Sequence, residues 1–328
     1  MSNNLRTLYI LMGLFGVLLL CLLTYQLVTN LQQLNKDVNS HKPYQRIALL
    51  LEGPTYDQGW NSYAFDSLEN LKEKYGFKLT VADNLKPEQI ESSASYFAGE
   101  GYDLILGHGF VFSKPFTRLA PLYPNSRFVS VNGEAFAPNQ TAIKNDMRPA
   151  GFLIGELAAL MSKTKNIGYI VVDKPTEFRQ VEGFREGARA ANPQINVLVK
   201  KVPDFFDKQH AIIAAKELLN EDVDVIYTTG DSFNLDVIMV AQKANIYAIG
   251  YIADQRYIAP NNVLVCLIQD VPQIYSMLIK QYLSGKLPSG DVTYGLREGV
   301  NRLSPFGPMV PKSVQETINY DLQQLIVK

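Results

Sequence analysis

Residues 46–61 read RIALLLEGPTYDQGWN, and the first six of them decide the fold. Arg46-Ile-Ala-Leu-Leu-Leu51 is an unbroken apolar run closed by Glu52-Gly53-Pro54. A strand with one wet face alternates apolar and polar residues, whereas one that is apolar throughout is covered on both faces, as in parallel sheets. After a polar loop the spacing predicts a helix over Trp60–Tyr75, stopped at Gly76. A strand, a loop and a covering helix make the repeating unit of an α/β fold.

The unit recurs along the chain. Strands are predicted at 77–82, 103–106 and 127–131, with helices at 87–99 and 115–122 between them. The pattern then restarts with helices at 151–161, 178–191, 208–219 and 234–244, alternating with strands at 166–172, 195–202, 223–227 and 246–251. Two successive runs of this kind imply two Rossmann-like lobes with parallel sheets covered on both faces. The expected division is about 44–146 for the first lobe and 147–254 for the second, each taking part of 255–328. In open α/β sheets ligands sit beyond the carboxyl ends of the strands, so facing rims would enclose an interlobe cleft.

Toward the N-terminus, residues 7–28 read TLYILMGLFGVLLLCLLTYQLV without a charge. As a helix this run spans about 33 Å, enough for a bilayer core. Arg6 flanks its start and the first charge beyond it is Lys36, which places residues 1–6 in the cytoplasm and the body outside. No A-x-A-like cleavage pattern follows, so an uncleaved transmembrane anchor is expected. A lipoprotein signal at Cys21 is the second reading, although Leu20 stands where a small residue belongs. Residues 29–43 are polar and read as a linker.

Composition narrows the function. The 328 residues carry a formal net charge of −1 with no cluster of Lys and Arg, so direct nucleic-acid binding is not expected. The three histidines lie far apart and no C-x-x-C or H-E-x-x-H spacing occurs, so no metal site or cofactor is expected. Without G-x-S-x-G or another nucleophile-base pattern, no catalytic residue is proposed and the chain does not read as an enzyme.

The strand tips supply the binding candidates. Asp57, Trp60 and Asn61 follow the first strand, where a ligand could be stacked and hydrogen-bonded; Asp57 or Asn61 could equally cap the helix. His108, between Gly107 and Gly109, either approaches a ligand or shapes a turn. Asn132 and Glu134 follow the fourth strand. In the second half Asp173, Phe178, Gly230, Asp231 and Asp254 occupy matching positions, and Gly230-Asp231 suits ligand contact and turn chemistry equally.

Five collinear elements over 45–328 carry a resemblance. They are Asp57-Gln-Gly-Trp-Asn61, Gly151-Phe-Leu-Ile-Gly155-Glu-Leu-Ala-Ala, Val181-Glu-Gly-Phe-Arg-Glu-Gly-Ala188, Ile249-Gly-Tyr-Ile-Ala-Asp-Gln255 and the stretch 283–299. Together they resemble the basic membrane protein family, which includes purine-nucleoside receptor lipoproteins. Leu104-Ile-Leu-Gly-His-Gly109 and Tyr227-Thr-Thr-Gly-Asp231 point to its Med branch, described as positive regulators of competence gene expression. The resemblance implies a fold of the type I periplasmic-binding-protein kind, a small-molecule ligand, and an ABC permease or a signalling partner.

Where the nucleoside receptors of the family hold their ligand with two aspartates and a lysine, this chain carries Asn132, Ile252 and Gln269. Each lost charge-assisted hydrogen bond is worth about 1.5–3 kcal/mol, so nucleoside affinity should fall unless other groups compensate.

Overall fold

A computed structural model describes residues 45–57 and 59–327, together with residues 16, 22 and 24–29 of the N-terminal segment. The anchor expected over 7–28 and the linker at 29–43 lie largely outside the described residues. Among those described, no helix is long and apolar enough to cross a membrane. From Arg46 to Lys328 the chain forms one compact body.

The first sheet contains β1 (Arg46–Leu50), β2 (Lys78–Ala82), β3 (Leu104–Gly107), β4 (Arg127–Val131), β5 (Gln140–Asn145) and β11 (Gly290–Tyr294). Its order is β11-β5-β4-β3-β1-β2, parallel throughout. The unbroken apolar run of β1 serves two cores at once. Ile47, Leu49 and Leu51 pack under α1 (Trp60–Tyr75) and α8 (Val271–Leu283), while Ala48 and Leu50 pack under α2 (Pro87–Gly99) and α3 (Ser113–Leu119).

The second sheet contains β6 (Asn166–Val172), β7 (Asn196–Val202), β8 (Val225–Thr229), β9 (Tyr247–Ile252), β10 (Val263–Gln269) and β12 (Asn301–Leu303). Its order is β12-β10-β9-β8-β6-β7. All its pairs are parallel except β10 with the short edge strand β12, a departure from the expected all-parallel sheet. On one face lie α4 (Met147–Met161), α5 (Pro175–Ala191) and the C-terminal helix α9 (Lys312–Val327); α6 (Lys208–Asn220) and α7 (Asn234–Lys243) cover the other.

Several boundaries differ from the sequence reading. The helix expected over 115–122 begins at Ser113 and ends at Leu119, giving way to a 3-10 turn at Ala120–Leu122. The strand expected over 223–227 runs over Val225–Thr229. Beyond residue 251 the regular alternation stops because the chain shuttles between lobes. It leaves the first sheet at Asn145 for α4, returns at Gln269 into α8 against α1, and crosses again between Tyr294 and Asn301. The three crossings are tied together. Asn145 and Asn301 exchange side-chain amide hydrogen bonds of 3.2 and 2.7 Å, Asp146 N–H donates to Tyr294 O at 2.8 Å, and Asp270 N–H donates to Val300 O at 2.6 Å.

Two of the quoted motifs are explained by packing. Gly151 and Gly155 on α4 face Gly183 and Gly187 on α5. A Cβ at Gly155 would lie 1.9 Å from Phe184 O, and one at Gly187 would lie 1.9 Å from Phe152 O. The helix backbones are therefore in direct contact, which only glycine permits. At the margin Arg148 forks onto Glu186 through Nε at 3.1 Å and Nη2 at 2.6 Å. On the opposite flank of α4, Glu156 is buried against α9, where burial and the neighbouring Asp321 carboxyl push its pKa up to about 8.

Because a methyl group at Gly155 has nowhere to go, Gly155→Ala should cost about 3 kcal/mol of stability. Urea unfolding monitored by circular dichroism measures it, and an unchanged midpoint would show that the helices can separate at no cost.

Candidate ligand cleft between the lobes

The rim after β1 is built on Asp57. Its Oδ1 accepts the backbone N–H groups of Gly59 and Ser62, each at 2.9 Å. Its Oδ2 accepts the Asn61 backbone N–H at 3.0 Å and side-chain Nδ2 at 2.7 Å. The carboxylate thus satisfies the orphan donors at the start of α1, two residues upstream of the usual capping position. Burial would push its pKa up, but donors from Ser62, Asn61 and Gly59 outweigh that and hold it below the ordinary carboxylate value. Asn61, only 4% exposed, spends Nδ2 on Asp57, and its Oδ1 has no partner. Gly53 is required beside it, since a Cβ there would lie 2.6 Å from Asn61 Nδ2.

His108 lies inside the lobe, 1% exposed. Its Nε2 is 3.0 Å from Trp60 O, a carbonyl that can only accept, so Nε2 carries the proton. Nδ1 then accepts from the Tyr275 hydroxyl on α8 at 2.9 Å. The ring stacks on Trp60 with centroids 4.0 Å apart. Burial drives its pKa down to about 3, against the Trp60 carbonyl and the Asp57 charge, so it is neutral. Both nitrogens are used within the lobe. His108 and Trp60 form a buried strut that ties β3, α1 and α8 together.

Of the remaining first-lobe candidates, Asn132 follows β4 with φ +61°, and its N–H donates to Ile143 O at 2.7 Å. Its counterpart at the tip of β9, Ile252, has φ +70°. Asparagine tolerates that left-handed conformation, whereas a β-branched residue there is strained. Gln269 is buried at the tip of β10, 3.5 Å from the Tyr251 hydroxyl. Gly230 is buried against Phe233, whose ring a Cβ would overlap, and its N–H donates to Asn234 Oδ1 at 2.8 Å. Phe178 is 44% exposed on the second rim, with Lys201 Nζ 5.3 Å from its ring centroid. Asp173 pairs with Lys201 at 2.8 Å and Asp254 with Arg256 at 2.7 Å, so both are engaged on the surface.

Charges on the two rims sense each other. Burial pushes Glu52 up while Lys174, on the opposite lobe, pulls it down. Asp231 is pushed up to about 7 by burial, by Asp57 across the cleft and by Glu177. Tyr63 on α1 is raised by burial and by Tyr257 and Asp57. Glu52, Lys174, Glu177 and Tyr257 were not singled out from the sequence, although each follows a strand tip. Their neighbours Asp57, Asp173 and Phe178 were chosen, because position in a loop does not say which side chain turns inward. A separate cavity of about 250 Å³ lies between α1 and α8, lined by Tyr63, Asp66, Ser67, Asn70, Pro272 and Ser276.

Two α/β lobes joined by three crossings, with polar strand tips facing each other, define a periplasmic-binding-protein-like solute receptor. The chain belongs to the PnrA-like family of ABC-transporter substrate-binding proteins, which it matches over residues 44–327. It is 32% identical to the transcriptional activator protein med of Bacillus subtilis, over 84% of this chain and 86% of that one. A purine-binding protein of Brucella abortus is 29% identical over 83% of this chain and 79% of its own. Among solved structures, a transcriptional activator of the comK gene from Bacillus halodurans superposes with a TM-score of 0.77 at 29% identity. That match covers 86% of this chain and 97% of the other.

Removing the Asp57 carboxylate strands four donors, so Asp57→Ala should lose about 1–2 kcal/mol near neutral pH. A depressed folded-state pKa means this stabilisation exists above about pH 4 and disappears as protonation overtakes the folded carboxylate. Urea titrations of both proteins from pH 7 to pH 3 should show the gap closing; a constant gap would deny the carboxylate that role.

Proposed function

We propose that this protein is a membrane-anchored receptor whose body lies outside the cell membrane and closes its two lobes on a small solute. The observation that carries the reading is the topology: two α/β lobes with polar residues at their strand tips are joined by three crossings, tied by the Asn145–Asn301 amide pair. Hinged closure needs a few crossing segments that flex, and the three crossings supply them. The family relationship supports solute binding, and the likeness to a purine-binding protein puts purine nucleosides first among ligands to try. Asn132, Ile252 and Gln269 stand against simple transfer of nucleoside binding. The protein acts by binding and not by catalysis.

The uncharged run over 7–28 supports the anchor and the outward body. Partnership with an ABC permease follows the family at large. An indirect regulatory role, through a signalling partner and without direct contact to DNA, is favoured by the likeness to transcriptional activators. A cleft that no longer binds anything is the alternative that the three substitutions keep open.

Thermal melts of the full chain in detergent test ligand binding. A nucleoside at about 100 times its Kd stabilises by about 2.7 kcal/mol, which raises Tm by about 5 °C or more in a body of this size. No shift with nucleosides, sugars, amino acids or peptides would favour the empty scaffold. Topology is checked by adding protease to intact protoplasts: the body should be digested, and full protection would place it in the cytoplasm.

A further inference from the structure

The chain enters its compact body at one pole of the first lobe. Arg46 opens β1 in register with Lys78 of β2, and the next residue, Ile47, is in register with Leu104 of β3, which pairs in turn with Arg127 of β4. The helices between these strands end at the same pole: α1 at Tyr75, α2 at Gly99 and the 3-10 turn after α3 at Leu122. This is the end of the sheet opposite the strand tips. Arg46 is fixed there, its backbone N–H donating to Asp103 Oδ2 at 2.7 Å, its guanidinium donating to Glu100 O and lying 4.1 Å from the Tyr102 ring centroid.

Around this entry point the body leaves apolar side chains open. Tyr102 meets Phe97 edge-on at 4.9 Å and Phe97 meets Tyr96 at 5.4 Å, so a row of rings leads from Arg46 out to Tyr96, which is 63% exposed. Tyr123 Oη lies 2.7 Å from Ser95 Oγ, which bonds the turn carrying Leu122, 70% exposed, to the turn carrying Tyr96. Tyr75 is exposed at the end of α1, with Lys74 Nζ 5.3 Å from its ring centroid. Lys74, Lys78 and Lys286 are exposed at this pole, against Glu73 and Glu100. Tyrosine, leucine and lysine together suit the headgroup region of a bilayer, where apolar parts enter and ammonium groups stay with the phosphates.

Chain length selects the occupant. The uncharged run ends at Val28, so only residues 29–45 separate it from Arg46. Even fully extended, such a segment reaches about 60 Å at most, which keeps this pole within reach of the bilayer surface. A face confined in that way meets lipid at high effective concentration, and a weak contact is enough to orient it. We propose that the pole around Arg46, with Tyr75, Tyr96 and Leu122, rests on the phospholipid headgroups and holds the cleft one lobe's height above the membrane. This rests on the membrane-anchor reading and adds the face that the body turns to the bilayer. The lysines favour an anionic surface.

The test is tryptophan fluorescence of the full chain reconstituted in vesicles of phosphatidylcholine and phosphatidylglycerol. Trp60 is the chain's one tryptophan, so the parent supplies the background. Leu122→Trp probes the pole, and Leu160→Trp, exposed at the end of α4 on the outer pole of the second lobe, is the control. Each is first shown to melt like the parent. With acyl chains brominated near the headgroup, Leu122→Trp should lose about half of its added emission and Leu160→Trp almost none, because only side chains at headgroup depth meet the quencher. Adding Lys74→Glu and Lys286→Glu to Leu122→Trp should reduce the quenching. Equal quenching at both positions, or none at either in chains that resist carbonate extraction, overturns the contact and leaves the anchor standing. A blue shift of Leu122→Trp that grows with protein concentration in detergent assigns the face to a second copy and overturns it as well. If carbonate strips the chain from the vesicles, the anchor reading falls and the contact with it.

Discussion

The backbone contact between α4 and α5 is the constraint on which the second lobe depends. Helices usually pack with axes about 8–10 Å apart because side chains keep them there. Here four glycines remove the side chains, and carbonyl oxygens of one helix occupy the space a Cβ of the other would need. Such a contact allows little sliding or rotation. It sets the direction in which α5 leaves β6, and therefore where its first turn delivers Glu177 and Phe178. Asp146, which caps α4, also sits at the first crossing between lobes, so one packing arrangement anchors both the hinge and a rim.

On the first lobe the equivalent work is done by polar groups that bind one another. Asp57 spends its oxygens on the start of α1, and His108 spends its nitrogens on Trp60 and Tyr275. Buried polar atoms must be paired, and a strand tip that faces a cleft has no regular ladder in which to pair them. These residues therefore preorganise the rim, while the buried side-chain oxygen of Asn61 is left without a partner. A site residue can serve recognition without touching the solute by holding still the residue that does.

The electrostatic character of the cleft follows from this division. Charges that pair on the surface, such as Asp173 with Lys201 and Asp254 with Arg256, contribute little to the field between the lobes. The carboxyls that turn inward lose solvent and face like charge, which raises the cost of ionising them.

The strand-helix alternation, the two lobes and the position of their rims were legible in the sequence, because an apolar run such as 46–51 has only one stable environment, between two layers of helices. The glycine motifs were legible as pattern but not as purpose, since which helix meets which is a tertiary fact. The polar strand β5 escaped, and after residue 251 the sharing of 255–328 between the lobes was legible but the bounds of its elements were not, because a chain that shuttles between lobes breaks the local period on which such a reading depends. The same limit separated Asp57 and His108, readable as site candidates, from Glu52, Lys174, Glu177 and Tyr257, which were not. Local sequence specifies that a loop is polar and lies at a strand tip; the direction in which each side chain turns is set by the helices packed behind it. By itself the sequence determined the architecture and the position of the strand tips, through hydrophobic burial that acts over a few residues. Only the tertiary structure decided which side chains of those tips pair with one another and which are buried, because that depends on contacts far apart in the chain.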